Sequence, residues 1–74
     1  MSVAERRYVN EVASLVDKNI MVITTDNKTY TGTLLGVNTE NLSLVLGNAK
    51  DPEGKVIPKA VISGSIVAQI LSVE

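Results

Sequence analysis

The sequence predicts a mainly β fold: an N-terminal helix followed by five antiparallel strands bent into a small barrel. Three observations carry this. Apolar residues recur at helical spacing through residue 16 and then at a period of two from Asn19 onward. Turn-forming clusters at Asp26-Asn27-Lys28, Asn38-Thr39-Glu40-Asn41, Asp51-Pro52-Glu53-Gly54 and Ser63-Gly64-Ser65 divide the remainder into short segments. The apolar content is aliphatic, with eleven Val and six Ile against two Tyr, no Phe and no Trp, a composition suited to strands.

The helix is predicted over residues 3–16. Ser2 and Glu5 have the spacing of a capping box, and Tyr8, Val12, Leu15 and Val16 make one apolar stripe. Arg6 and Arg7 lie off that stripe, where solvation is the default. Strands are predicted at about 19–26, 29–38, 41–50, 56–62 and 66–73, in one domain spanning 1–74. Asn27 suits the positive φ of a tight turn between the first two. Gly32 inside the second strand predicts a bend or close backbone approach. In the third, Leu42, Leu44 and Leu46 are expected on one face. Pro58 lacks a backbone donor, which places the fourth strand at an edge or a bulge.

At 74 residues the chain is near the lower limit for independent folding. It has no Cys and no His, so disulfides and the usual zinc sites are excluded, and self-association is the expected supplement to a thin core. The last two strands are uncharged from Ala60 to Val73. Left open, such edges would aggregate. A ring in which strand four of one copy pairs with strand five of the next would use them productively.

Net charge is −1, from seven Lys or Arg and eight Asp or Glu, which argues against non-specific wrapping of nucleic acid and leaves a local RNA site open. The charged N-terminal stretch does not read as a signal peptide, and no run approaches the roughly 20 apolar residues that span a bilayer, so a cytoplasmic protein without membrane partners is expected. Catalysis is not expected. The common bases and nucleophile pairs need His or Cys, and Gly32-x-x-x-Gly36 lacks the Gly-Lys-Ser/Thr that completes a phosphate loop. No catalytic residue, metal or cofactor is implied.

The segment KNIMVITTDNKTYTGTLLGVN resembles the first motif of the Sm/Sm-like (LSm) superfamily, with Gly32 and Gly36 at its two Gly positions, Val37 at the usual aromatic and Asn38 at the usual Asp. SLVLGNA resembles that motif's ending, and ISGSIV, Ile62 to Val67, resembles the second motif, usually Ile-Arg-Gly-Asn-x-Val. The ordered combination covers nearly the whole chain and is close to the archaeal Sm-like pattern. The resemblance implies an SH3-like barrel and a doughnut-shaped homo-oligomer, most often a heptamer, that binds short single-stranded U-rich RNA around its pore in RNA processing or metabolism. It also implies that the 38–41 and 63–65 loops meet at the pore.

The RNA-binding set expected on that basis is Asn38, Thr39, Asn41, Ser43, Ser63, Gly64 and Ser65. Carboxamides suit a uracil edge, hydroxyls suit base or phosphate, and Gly64 permits close backbone approach. Two departures stand out: neither loop holds an aromatic residue, and Ser63 occupies the usual Arg position. Base stacking contributes about 1–3 kcal/mol per base, so its loss weakens RNA affinity. Three alternatives therefore stay open. Asn38, Thr39 and Asn41 can serve as turn formers alone. The ring can serve as a protein-interaction scaffold without uridine specificity. The chain can also be a monomeric SH3-like adaptor.

Overall fold

The computed structural model describes residues 2–74. Helix α1 spans Val3–Ala13 and opens on the expected box: Ser2 Oγ accepts from the Glu5 N–H at 3.1 Å, and the Ser2 N–H donates back to Glu5 Oε1 at 3.3 Å. Hydrogen bonding from the Ser2 hydroxyl, and secondarily from its backbone N–H, holds the exposed Glu5 carboxyl below its ordinary pKa. Val12 is buried by the helix, with Tyr8, Leu15 and Val16 packed alongside the core.

The helix stops at Ala13, short of residue 16. Ser14 Oγ donates to the Glu11 carbonyl at 2.6 Å, and the N–H groups of Leu15, Val16 and Lys18 bond to carbonyls three residues back. That tightening leads to Asp17 at φ 70°, which reverses the chain. The reversal is pinned to the second strand: Asp17 N–H donates to the Leu34 carbonyl, and Leu34 N–H to the Lys18 carbonyl.

Strands β1 (Asn19–Thr24), β2 (Thr29–Val37), β3 (Leu44–Lys50), β4 (Val56–Ile62) and β5 (Val67–Ser72) form one antiparallel sheet in the order β4-β3-β2-β1-β5. The sheet bends without closing, since β4 and β5 lie at opposite edges. The third strand begins at Leu44 and not near 41. Leu42, at φ 62°, belongs to the preceding loop and leaves the Leu44–Leu46 face. Residue 66 falls in a 3-10 turn, Gly64–Ile66, ahead of β5.

β1 alternates regularly, burying Ile20, Val22 and Thr24. β2 bends because its pairing with β3 shifts register twice, between Thr31 and Thr33 and between Leu34 and Gly36. At Gly32 a Cβ would lie 3.0 Å from both Ala49 Cα and the Gly47 carbonyl oxygen, so any side chain there would push the neighbouring strand away by a few tenths of an ångström. The core is Val12, Ile20, Val22, Leu34, Leu44, Leu46, Ala49 and Ile62. Buried Thr24 is satisfied by the Asp26 carboxylate and the Lys28 backbone, and its hydroxyl holds the Asp26 carboxyl below the ordinary range. Among the described residues no helix is long and apolar enough to cross a membrane.

A core of this size tolerates little loss. Leu46→Ala removes a side chain with no exposed surface, and such deletions cost about 2–5 kcal/mol. The expected result is a large fall in urea midpoint at unchanged slope, measured at fixed protein concentration. A shift equal to that of the exposed Val3→Ala would contradict this core assignment.

Candidate nucleic-acid interface

The β2–β3 loop is built on its own side chains. Asn38 N–H donates to the Ser43 carbonyl and Leu42 N–H to the Asn38 carbonyl, both at 2.8 Å, closing a narrow turn. Inside it, Asn38 Oδ1 accepts from the Glu40 N–H at 2.8 Å and the Asn41 N–H at 3.3 Å. Asn41 Oδ1 accepts from the Ser43 N–H at 3.0 Å and the Ser43 hydroxyl at 2.7 Å. Backbone N–H groups can only donate, so these contacts fix both carboxamides with oxygen inward. The outward-facing valence is then the Nδ2 amino group of each, which engages no protein acceptor among the described residues.

The expected residues fall into distinct environments. Asn38, Thr39 and Asn41 are exposed, whereas Ser43 is only 8% exposed and its hydroxyl is spent on Asn41. In the β4–β5 turn, Ser63 and Ser65 are exposed and their hydroxyls bond to each other at 2.9 Å. Ser63 also caps the 3-10 turn by accepting weakly from the Ser65 N–H at 3.4 Å, and its carbonyl accepts from Ile66 N–H at 3.1 Å.

Gly64 joins the two loops. A Cβ on it would stand 2.6 Å from the carbonyl oxygens of both Asn41 and Leu42 and 2.8 Å from the Leu42 carbonyl carbon. The close approach anticipated for Gly64 is therefore made to the neighbouring loop. Two segments more than twenty residues apart in sequence thus form one polar surface. Leu42 is the residue that sequence reasoning missed. Its left-handed φ of 62° presents its own and the Asn41 carbonyl to Gly64, and leucine carries no turn signal that would mark it.

Electrostatically the surface is sparse. Glu40 is its one charged residue, and neither loop contains Lys or Arg. No phosphate clamp is available there, so what it can offer a ligand is amide and hydroxyl hydrogen bonding. Among the described residues no cluster of carboxylates that could hold a metal is present.

No protein-family profile matches the chain, and no characterised protein matches it by sequence. Solved structures do. An Sm-like archaeal protein from Pyrobaculum aerophilum shares 27% identity at a TM-score of 0.82, over 89% of this chain and 51% of that one. The Pyrococcus abyssii Sm protein, solved in complex with a uridine heptamer, shares 28% identity at a TM-score of 0.77, over 85% of this chain and 93% of that one. The chain belongs to the Sm-like superfamily. This Sm-like chain spans about half the length of the Pyrobaculum protein and nearly all of the Pyrococcus one. The fold is also shared with a heptameric archaeal Sm protein at 22% identity and a TM-score of 0.74.

The Gly64 contact yields a direct test. Gly64→Ala places a methyl against two carbonyl oxygens, and overpacking of this kind costs about 1–3 kcal/mol. Chemical-shift changes should extend to the amides of Asn41, Leu42 and Ser43. Changes confined to residues 63–66 would show that the loops are not in contact.

Proposed function

We propose that this Sm-like chain assembles into a ring, seven-membered by its resemblance to the superfamily, and holds short single-stranded U-rich RNA at the central pore as a non-catalytic scaffold in RNA processing or metabolism. The setting is cytoplasmic. Asn38, Thr39 and Asn41 supply one loop of the site and Ser63, Gly64 and Ser65 the other, with Ser43 fixing the Asn41 carboxamide from beneath. The observation that carries this reading is the seating of Gly64 on the Asn41 and Leu42 carbonyls, which unites the two loops in one subunit. Cyclic assembly would repeat that surface around an axis. The uridine complex of the Pyrococcus relative supports the choice of ligand.

Chemistry sets the expected selectivity. Uracil presents two carbonyl acceptors and one N3–H donor. The free amino groups of Asn38 and Asn41 suit the carbonyls, while both carboxamide oxygens are turned into the loop and offer the N3–H no acceptor. Without an aromatic or Arg plane, stacking adds little. These same observations favour the second reading, a ring that serves as a protein-interaction scaffold with little uridine specificity.

Native mass spectrometry with short oligo-U and oligo-A separates the readings. The expected species is near 55 kDa, seven times the 7.9 kDa chain, gaining oligo-U at micromolar concentration and not oligo-A. A ring that takes up neither points to the protein scaffold, and a 7.9 kDa monomer removes the ring altogether.

Ser43→Ala withdraws one of the two donors that hold Asn41 Oδ1 inward and so loosens the presentation of the Asn41 amino group. One hydrogen bond is worth about 1 kcal/mol, so oligo-U affinity should fall by up to roughly fivefold. Unchanged oligo-U affinity would mean that Asn41 does not read the base edge.

A further inference from the structure

Beyond amides and hydroxyls, the two-loop surface carries one carboxylate, and its place in the turn gives that group a role of its own. Asn38 Oδ1 accepts from the N–H groups of both Glu40 and Asn41, at 2.8 and 3.3 Å. One oxygen atom therefore gathers the backbones of Glu40 and Asn41 around the Asn38 side chain. The Leu42 N–H, on the Asn38 carbonyl at 2.8 Å, closes the turn. Asn38, Glu40 and Asn41 are all exposed, so three polar side chains leave a single tight turn into solvent.

Their free hydrogen-bonding groups are of opposite kinds. Nδ2 of Asn38 and of Asn41 can only donate, and both carboxamide oxygens are occupied within the loop. The Glu40 carboxylate can only accept, and no hydrogen bond or ion pair engages it among the described residues. Thr39, Ser63 and Ser65 carry hydroxyls, which donate and accept alike and so do not distinguish a ring N–H from a bare ring nitrogen. Base identity therefore rests on the three one-way groups. In chain order they are a donor, an acceptor and a donor.

We propose that Glu40 is a specificity-determining residue of the RNA site: its carboxylate accepts from the uracil N3–H, while the Asn38 and Asn41 amino groups donate to the two flanking carbonyls. This assignment rests on the RNA reading above and supplies the acceptor that the carboxamides lack there. Uracil presents acceptor, donor and acceptor along its pairing edge, the complement of all three groups. Cytosine sets a bare N3 against the carboxylate, lone pair to lone pair, and its amino group against an Asn amino group. Adenine likewise sets a bare N1 against the carboxylate. Guanine offers an N1–H, but its amino group meets the second Asn amino group, donor to donor. The carboxylate has a cost as well: it repels the phosphate backbone, and neither loop carries Lys or Arg to offset this. Glu40 therefore lowers affinity for every RNA and raises the preference for uridine among them.

Glu40→Gln separates base reading from repulsion, because it keeps the side chain's shape, removes its charge and leaves an amide that can accept or donate. Affinities of labelled oligo-U and oligo-C are measured for both proteins at one salt concentration. In the variant, oligo-C affinity should rise and oligo-U affinity should rise less or fall. The preference for oligo-U then drops roughly tenfold, the scale of a hydrogen bond to a charged group. If Glu40 only repels phosphate, both affinities rise by one factor and the preference is unchanged, which overturns the proposal and leaves the RNA site standing. Oligo-U methylated at N3 gives an independent check. Methylation should weaken binding to the wild type by a similar factor and matter little to Glu40→Ala. An equal loss in both proteins, or a wild type that binds oligo-U and oligo-C alike, also overturns the proposal. A wild-type ring that takes up neither oligomer means that the RNA reading itself has failed, and the role of Glu40 with it.

Discussion

The close approach of the Gly32 backbone to Ala49 and the Gly47 carbonyl is the constraint on which the rest of this structure depends. It lets β2 bend sharply against β3 while the two remain paired, and the two register shifts between these strands accommodate the curvature. The bend folds the sheet around Ile20, Val22, Leu34, Leu44 and Leu46, giving an aliphatic chain without large aromatics an enclosed core. It also leaves β4 and β5 at the two ends of one curved sheet, each with an unpaired edge.

The β2–β3 loop is an exposed polar surface tied together by its own side chains. Asn38 and Asn41 each direct the carboxamide oxygen into the loop, where backbone N–H groups would otherwise lack partners, and each leaves an amino group outside. The loop's stability and its hydrogen-bonding polarity therefore have one origin. Turn formation thus determines which polar atoms of these residues stay outside the loop.

Much of this was legible in the sequence, for identifiable reasons. The capping box, the change of period at Asn19 and the Gly32 bend follow from local rules, and the structure contains all three. The helix end was harder to place. Val16 continues the apolar stripe, yet Ser14 and Asp17 reverse the chain through hydrogen bonds that periodicity does not register. The start of β3 was misplaced for a related reason: Leu42 extends the Leu44–Leu46 alternation but takes a left-handed φ imposed by the turn and by contact with Gly64. Within the candidate site, the sequence named residues that the structure places in two adjoining loops. It could not show that Ser43 is buried or that the Asn oxygens are already engaged, because both depend on the path of the loop.

The two edges tie folding to association. Val56, Val61, Leu71 and Val73 are between 42% and 65% exposed in the single chain, and they lie along or beside the strands that lack a partner. Among the described residues eight apolar side chains are buried, a small core that leaves these apolar edge residues facing solvent. Pro58 limits how that area is recovered, because a strand with a missing donor cannot pair equally well in every register. The same residue discourages indiscriminate edge-to-edge growth. Exposed apolar area and a missing backbone donor therefore meet on one seven-residue edge strand.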